Sequence, residues 1–141
     1  MRRALTRGLA PRGQAGQALV EFALVVPILL VFSFAIVEIA QLGVARLALQ
    51  HAASEGARAG ALTNDDAAIH SSVALAASPL DTGRINVEIE PTASEAPRTS
   101  DPRGSLLAVR LRYAMPLRLG FVVLPTLTVS GSAARRVEWT P

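Results

Sequence analysis

Residues 16–32 read GQALVEFALVVPILLVF, an apolar run with one carboxylate, Glu21, near its start. Followed outward, the segment reaches from Ala18 to Ala40, and Glu21, Ser33 and Glu38 are its only strongly polar members. Some 20 apolar residues cross a bilayer as a helix, so residues 17–40 are expected to be transmembrane. A carboxylate at the centre of such a helix costs about 2.5 to 3.5 kcal/mol, and less near an end. A chain that retains Glu21 is expected to use it.

Before this run lies a basic leader, residues 1–16, with Arg2, Arg3, Arg7 and Arg12 and no acid. Arginine just before an apolar span holds that end in the cytoplasm. The reading is therefore a single-pass cell-membrane protein with a cytoplasmic N-terminus and everything beyond about residue 45 outside. An ordinary cleaved secretory signal has an apolar core of about 7 to 15 residues. Residues 22–37 already give sixteen, with Ser33 the one polar residue and no small-residue cleavage site close behind, so the span reading leads.

The formal charge of +3 on 141 residues invites a nucleic-acid reading, but its distribution does not support one. From Gln17 onward ten Arg face eleven acids, so the body is close to neutral. That is no phosphate-binding surface. The absence of cysteine excludes disulfides, a thiolate zinc site and a cysteine nucleophile. Neither phosphate loop nor paired catalytic carboxylates appear, and single serines such as Ser130 have no base beside them. No enzyme activity and no cofactor are expected.

Beyond the span, Leu42, Ala45, Leu49, Ala52, Gly56 and Ala59 recur at alternating steps of three and four, while Arg46, Gln50, Ser54 and Arg58 form a polar row. This predicts a continuation of the same helix over 41–62. Its stripe of small residues admits close packing, on its own domain or on neighbouring subunits. Residues 63–141 are expected to form a small α+β domain. In TNDDAAIHSSVALAASP, Thr63 or Asn64 caps a second helix, Asp65 and Asp66 fill its first turn and Pro79 stops it. RINVEIE and LLAVRLRY alternate as strands with one buried face, and PTASEAPRTSDPRGS between them reads as an exposed loop. TLTVSGSAARRVEW reads as a third strand burying Leu127, Val129, Ala133 and Val137, with Gly131 as a bulge. Outward acids of the first strand are placed to pair with outward Arg of the second. The fold class is thus α+β: a long N-terminal helix, transmembrane in its first half, a short helix, and an antiparallel sheet of about three to four strands.

The leader, the glycine and the glutamate five residues after it resemble the substrate signature of a prepilin peptidase, which cuts after the glycine on the cytoplasmic side. AGQALVEFALVVPILL, IVEIAQLG and LQHAASEGARAGA, with the closing strings VRLRYAMPLRL and LTVSGSAARRVE, resemble the TadE-like family, minor pilins or pseudopilins of the tight-adherence (Flp) pilus. The resemblance covers residues 14–62 and 106–138. Many relatives carry a cysteine pair in the soluble part, which this chain lacks, and its soluble part is short. The resemblance implies a type IV pilin-like fold and cleavage between Gly16 and Gln17. It further implies a role for Glu21, beside Phe22, in meeting the freed amino terminus of a neighbouring subunit. The implied partners are the peptidase, other pilins, pilus assembly components and the membrane, with localisation in the membrane or an extracellular pilus. A membrane-anchored binding or envelope-adaptor protein that never polymerises is the alternative.

Other residues carry plainer readings. Glu21 as an interfacial charge snorkelling to the membrane edge is the rival to subunit pairing. Pro27 is an ordinary membrane-helix proline. Glu38 and Gln41 are expected at the outer interface, solvated. His51 and His70 have no partners at ligand spacing, so no metal site is expected. Glu55 and Arg58 form a solvated i, i+3 pair. Trp139 either anchors the C-terminus on the core or is exposed.

Overall fold

The computed structural model describes residues 12–119, 122–123 and 125–140. The basic leader lies outside them except for its last residues. The first helix, α1, runs over Arg12–Thr63 with Pro27 inside it, 52 residues that extend about 78 Å. Its two halves differ in what surrounds them. Along the apolar half, large side chains such as Leu19, Phe22, Leu29 and Ile36 are exposed on every side. In the second half Ala45, Leu49, Ala52, Ala53 and Ala57 are buried against the rest of the domain.

Asn64 ends α1 by taking a left-handed conformation, φ 54°, while its N–H donates to the Gly60 carbonyl at 2.9 Å. Asparagine tolerates that conformation better than most residues. This shifts the second cap by one or two positions from the expected Thr63 or Asn64. Asp65 accepts from Ala67 N at 2.9 Å and opens α2, Asp66–Ala76. Replacing Asp65 by Ala is expected to lower the domain's stability by about 1 kcal/mol, read as a shifted urea midpoint with unchanged slope. Ile69 and Val73 of α2 pack on α1 at Gly60 and Gly56, where an added Cβ would meet them at 2.6 and 2.7 Å. The small stripe is thus what lets α2 approach.

A short 3-10 turn, Thr82–Arg84, leads into β1, Ile85–Glu90. It pairs antiparallel with β2, Leu106–Met115, which pairs antiparallel with the last strand, Leu127–Arg136. Between the last two lie β3, Arg118–Leu119, and β4, Val122–Val123, a separate two-stranded hairpin; the last strand is therefore β5. The main sheet has the order β1-β2-β5, and the α+β architecture matches the sequence reading. Leu107, Val109, Leu111, Tyr113 and Met115 alternate inward from β2 onto α1 and α2. On the outer face, Glu88 pairs with Arg112 at 3.2 Å and Glu90 with Arg110 at 3.0 Å. Both are exposed, so they contribute little to stability.

Three further expectations are corrected. Gly131 is no bulge: it sits opposite Leu111 in unbroken register. Its lack of a side chain serves α1, because a Cβ there would lie 2.6 Å from the backbone carbon of Leu49. Gln50, next on α1, grips the exposed edge of β5, donating to Ser132 O at 2.8 Å and accepting from Ser132 N at 3.3 Å. Leu127 is 41% exposed rather than buried, because α1 does not cover that end of the strand.

The segment between β1 and β2 is the third correction, since it is pinned rather than wholly exposed. Arg98 is only 1% exposed. It donates from Nε to Asn64 Oδ1 at 2.9 Å, and from Nη1 to Asp66 Oδ1 at 2.6 Å and Pro91 O at 2.8 Å. Asp66 Oδ2 in turn accepts from Ala93 N at 2.8 Å. At the C-terminus Glu138 N and Trp139 N both donate to Ala61 O, at 2.8 and 3.1 Å. Trp139 is half-buried on the core, so the tail is anchored.

Candidate functional site along the N-terminal helix

The residues singled out for processing and assembly lie on the first turns of the described apolar half. Gly16, Gln17, Glu21 and Phe22 are all exposed, Phe22 at 69%. Nothing lies within 4 Å of where a Gly16 side chain would start. Gln17 and Glu21 share a helix face, and Gln17 Nε2 donates to Glu21 Oε1 at 3.3 Å. Among the described residues Glu21 has one exposed amide partner, and its carboxylate is accessible to a second molecule.

Residues 18–40 rise about 34 Å as a helix, enough for a hydrocarbon core of about 30 Å. The apolar half is long and apolar enough to cross a membrane, and none of its most apolar window is buried in the fold. Ser33 is satisfied within the helix, donating to Leu29 O at 2.8 Å. Glu38 departs from the solvated role expected of it. Its Oε1 accepts the backbone N–H of Arg118 at 3.2 Å, and its Oε2 is buried without a hydrogen-bond partner among the described residues. Local sequence gave no sign of this, because the partner lies 80 residues on.

The helix-packing stripe is occupied by the chain's own domain. Ala45, Leu49, Ala52 and Gly56 are buried and Leu42 and Ala59 half-buried, against α2 and the sheet. It is not free for a neighbour in this fold. In the polar row, Arg58 pairs with Glu55 at 3.5 Å and both stay solvated. His51, His70 and Ser130 are exposed. Among the described residues no three or more His, Cys, Asp or Glu cluster in a way that suits a metal ion.

No curated protein and no solved structure matches the chain. A family model does, the one described as TadE-like protein, over residues 16–58. Its match begins at the glycine before the apolar run and ends on the buried half of α1. It leaves the closing-strand part of the resemblance to stand on its sequence strings alone. The glycine, the glutamate and the packed small-residue helix all lie inside the matched segment, so over residues 16–58 the chain is similar to TadE-like proteins.

Proposed function

We propose that this protein is a membrane-inserted minor pilin or pseudopilin of a Flp-type, tight-adherence pilus. A prepilin peptidase cuts it after Gly16, and it assembles with other pilins through its apolar N-terminal helix. The observation that carries the reading is the exposed Glu21 in the TadE-like segment, a costly carboxylate whose one hydrogen-bond partner among the described residues is the Gln17 amide. The leader is cytoplasmic, the α+β domain extracytoplasmic, and the role is structural rather than enzymatic. A neighbour's freed amino terminus at Gln17 supplies the charge that Glu21 lacks. The buried stripe favours the same division of labour, because the domain covers the small-residue face of the second half of α1 and leaves the first half uncovered on every side.

Glu21→Gln keeps size and hydrogen bonding but removes the charge. It is expected to insert and be cut, yet to lose most of its co-purification with other pilus components. Glu21→Leu removes the desolvation cost as well, and is expected to insert at least as well and to fail at the same step. Crosslinked yield at equal membrane levels is the measurement. Equal recovery of wild type and both variants would show the charge to be a snorkelling one and would favour a non-polymerising membrane anchor.

A further inference from the structure

The end of the domain nearest the span is apolar, and it is tied to the helix at a defined depth. Glu38 lies 17 residues after Glu21, about 26 Å further along α1, which places it at the outer boundary of a hydrocarbon core of about 30 Å. At that level the Arg118 amide donates to Glu38, so the β3–β4 hairpin starts where the lipid tails end. The sequence around it, LRLGFVVLP over 117–125, has Arg118 as its one charge. Two grooves flank α1 here, of about 450 and 430 Å³. Ile39, Leu42 and Leu127 line one, with Arg46, Thr128 and Ser130 also on its wall, and Val37, Val44 and Met115 line the other. Each groove opens from a stretch of α1 that begins inside the span.

We propose that this edge of the domain is seated in the outer leaflet of the bilayer, with lipid acyl chains filling both grooves. The edge comprises the last residues of β2, Arg118 at the start of β3 and the first residues of β5. The domain then rests on the membrane instead of standing off on a helical stalk. Glu38 is tolerated at this depth because the Arg118 backbone N–H partners one of its oxygens. The exposed Arg118 side chain reaches the headgroup layer, where a long basic side chain is at home. The strands set the orientation: Gly60 of α1 meets Leu107 at one end of β2, and Ala45 shares a groove with Met115 at the other. Leu127 is therefore at the lipid edge and Leu106, 58% exposed, at the far edge.

The inference rests on the membrane-span reading, and the test separates the two. The chain has no cysteine, so single cysteines at Leu127, Leu106, Leu29 and Ser94 carry nitroxide labels without background. The full chain is reconstituted in phosphatidylethanolamine–phosphatidylglycerol vesicles, and each label's collision rate with oxygen and with a water-soluble nickel chelate is measured. The labels at Leu29 and Leu127 are expected to favour oxygen over nickel several-fold more than those at Leu106 and Ser94. A lipid-like Leu29 with a Leu127 as aqueous as Leu106 would overturn the seating alone. An aqueous Leu29 would overturn the span and the seating together. Protection of Leu127 from both reagents would replace lipid by a protein neighbour and equally overturn the proposal.

Discussion

Arg98→Ala is expected to lower the stability of the α+β domain by about 3 kcal/mol and to open residues 91–105 to proteases. The guanidinium is buried and joins three acceptors, Asn64 Oδ1, Asp66 Oδ1 and Pro91 O. Removing it leaves those acceptors without their donor and a void where the side chain packed. Asp66 is itself 28% exposed, so water recovers part of the loss, which places the effect at the low end for a broken buried pair. Arg98→Lys keeps the charge but not the planar fork, cannot hold all three acceptors at once, and is expected to fall between wild type and Ala. Pulse proteolysis in urea on the full chain gives the free energy, and the positions of early cuts show whether 91–105 is released. A loss below about 0.5 kcal/mol for Arg98→Ala would place that arginine among ordinary surface residues and contradict its pinning role.

Gly131→Ala is the second large effect, and its sign runs against local propensity. Glycine weakens a strand interior, so replacing it with a residue that has a Cβ normally helps. Here the new Cβ would fall 2.6 Å from the Leu49 carbonyl carbon and 2.8 Å from Gln50 N, both backbone atoms of a packed helix that no rotamer change can move. Either α1 lifts from β5 or the strand bends, at a cost of about 2 to 3 kcal/mol, which exceeds the propensity gain. The same lift weakens the Gln50 clasp on Ser132. Gly43→Ala is the matched control. Gly43 lies inside the helix with nothing within 4 Å of its Cβ position, so that change is expected to stabilise by about 0.5 to 1 kcal/mol. Opposite shifts in urea midpoint for the two variants would bear out the close approach, whereas stabilisation by both would contradict it.

These two sites mark where sequence reasoning succeeded and where it stopped. Periodicity carries α1 to its end within a residue and gives β1 and β2 with the correct buried faces, because those patterns are local and each is set by one covering layer. Gly131 looks like a bulge because a glycine in a strand has several causes, and the one operating here is a helix backbone 82 residues earlier in the chain. Arg98 sits in a Pro-, Ser- and Thr-rich segment whose composition signals exposure, while its partners Asn64 and Asp66 lie 34 and 32 residues away. Glu38 looks solvated for the same reason. Leu127 has the right alternation but lies beyond the cover of α1. The candidate processing and assembly residues are of another kind: Gly16, Gln17 and Glu21 are legible as a motif, and in the fold they stand exposed.

The central claim is the proposal that this chain is a pilin-type subunit, and cleavage after Gly16 tests it most directly. Mass analysis of the chain isolated from cells that contain a prepilin peptidase is expected to show loss of residues 1–16 and a new amino terminus at Gln17. Replacing Gly16 by a bulky residue should leave the chain at full length, still inserted in the membrane. A wild-type chain that keeps its leader in the presence of the peptidase, or an N-terminal cut unchanged by the Gly16 substitution, would contradict the account.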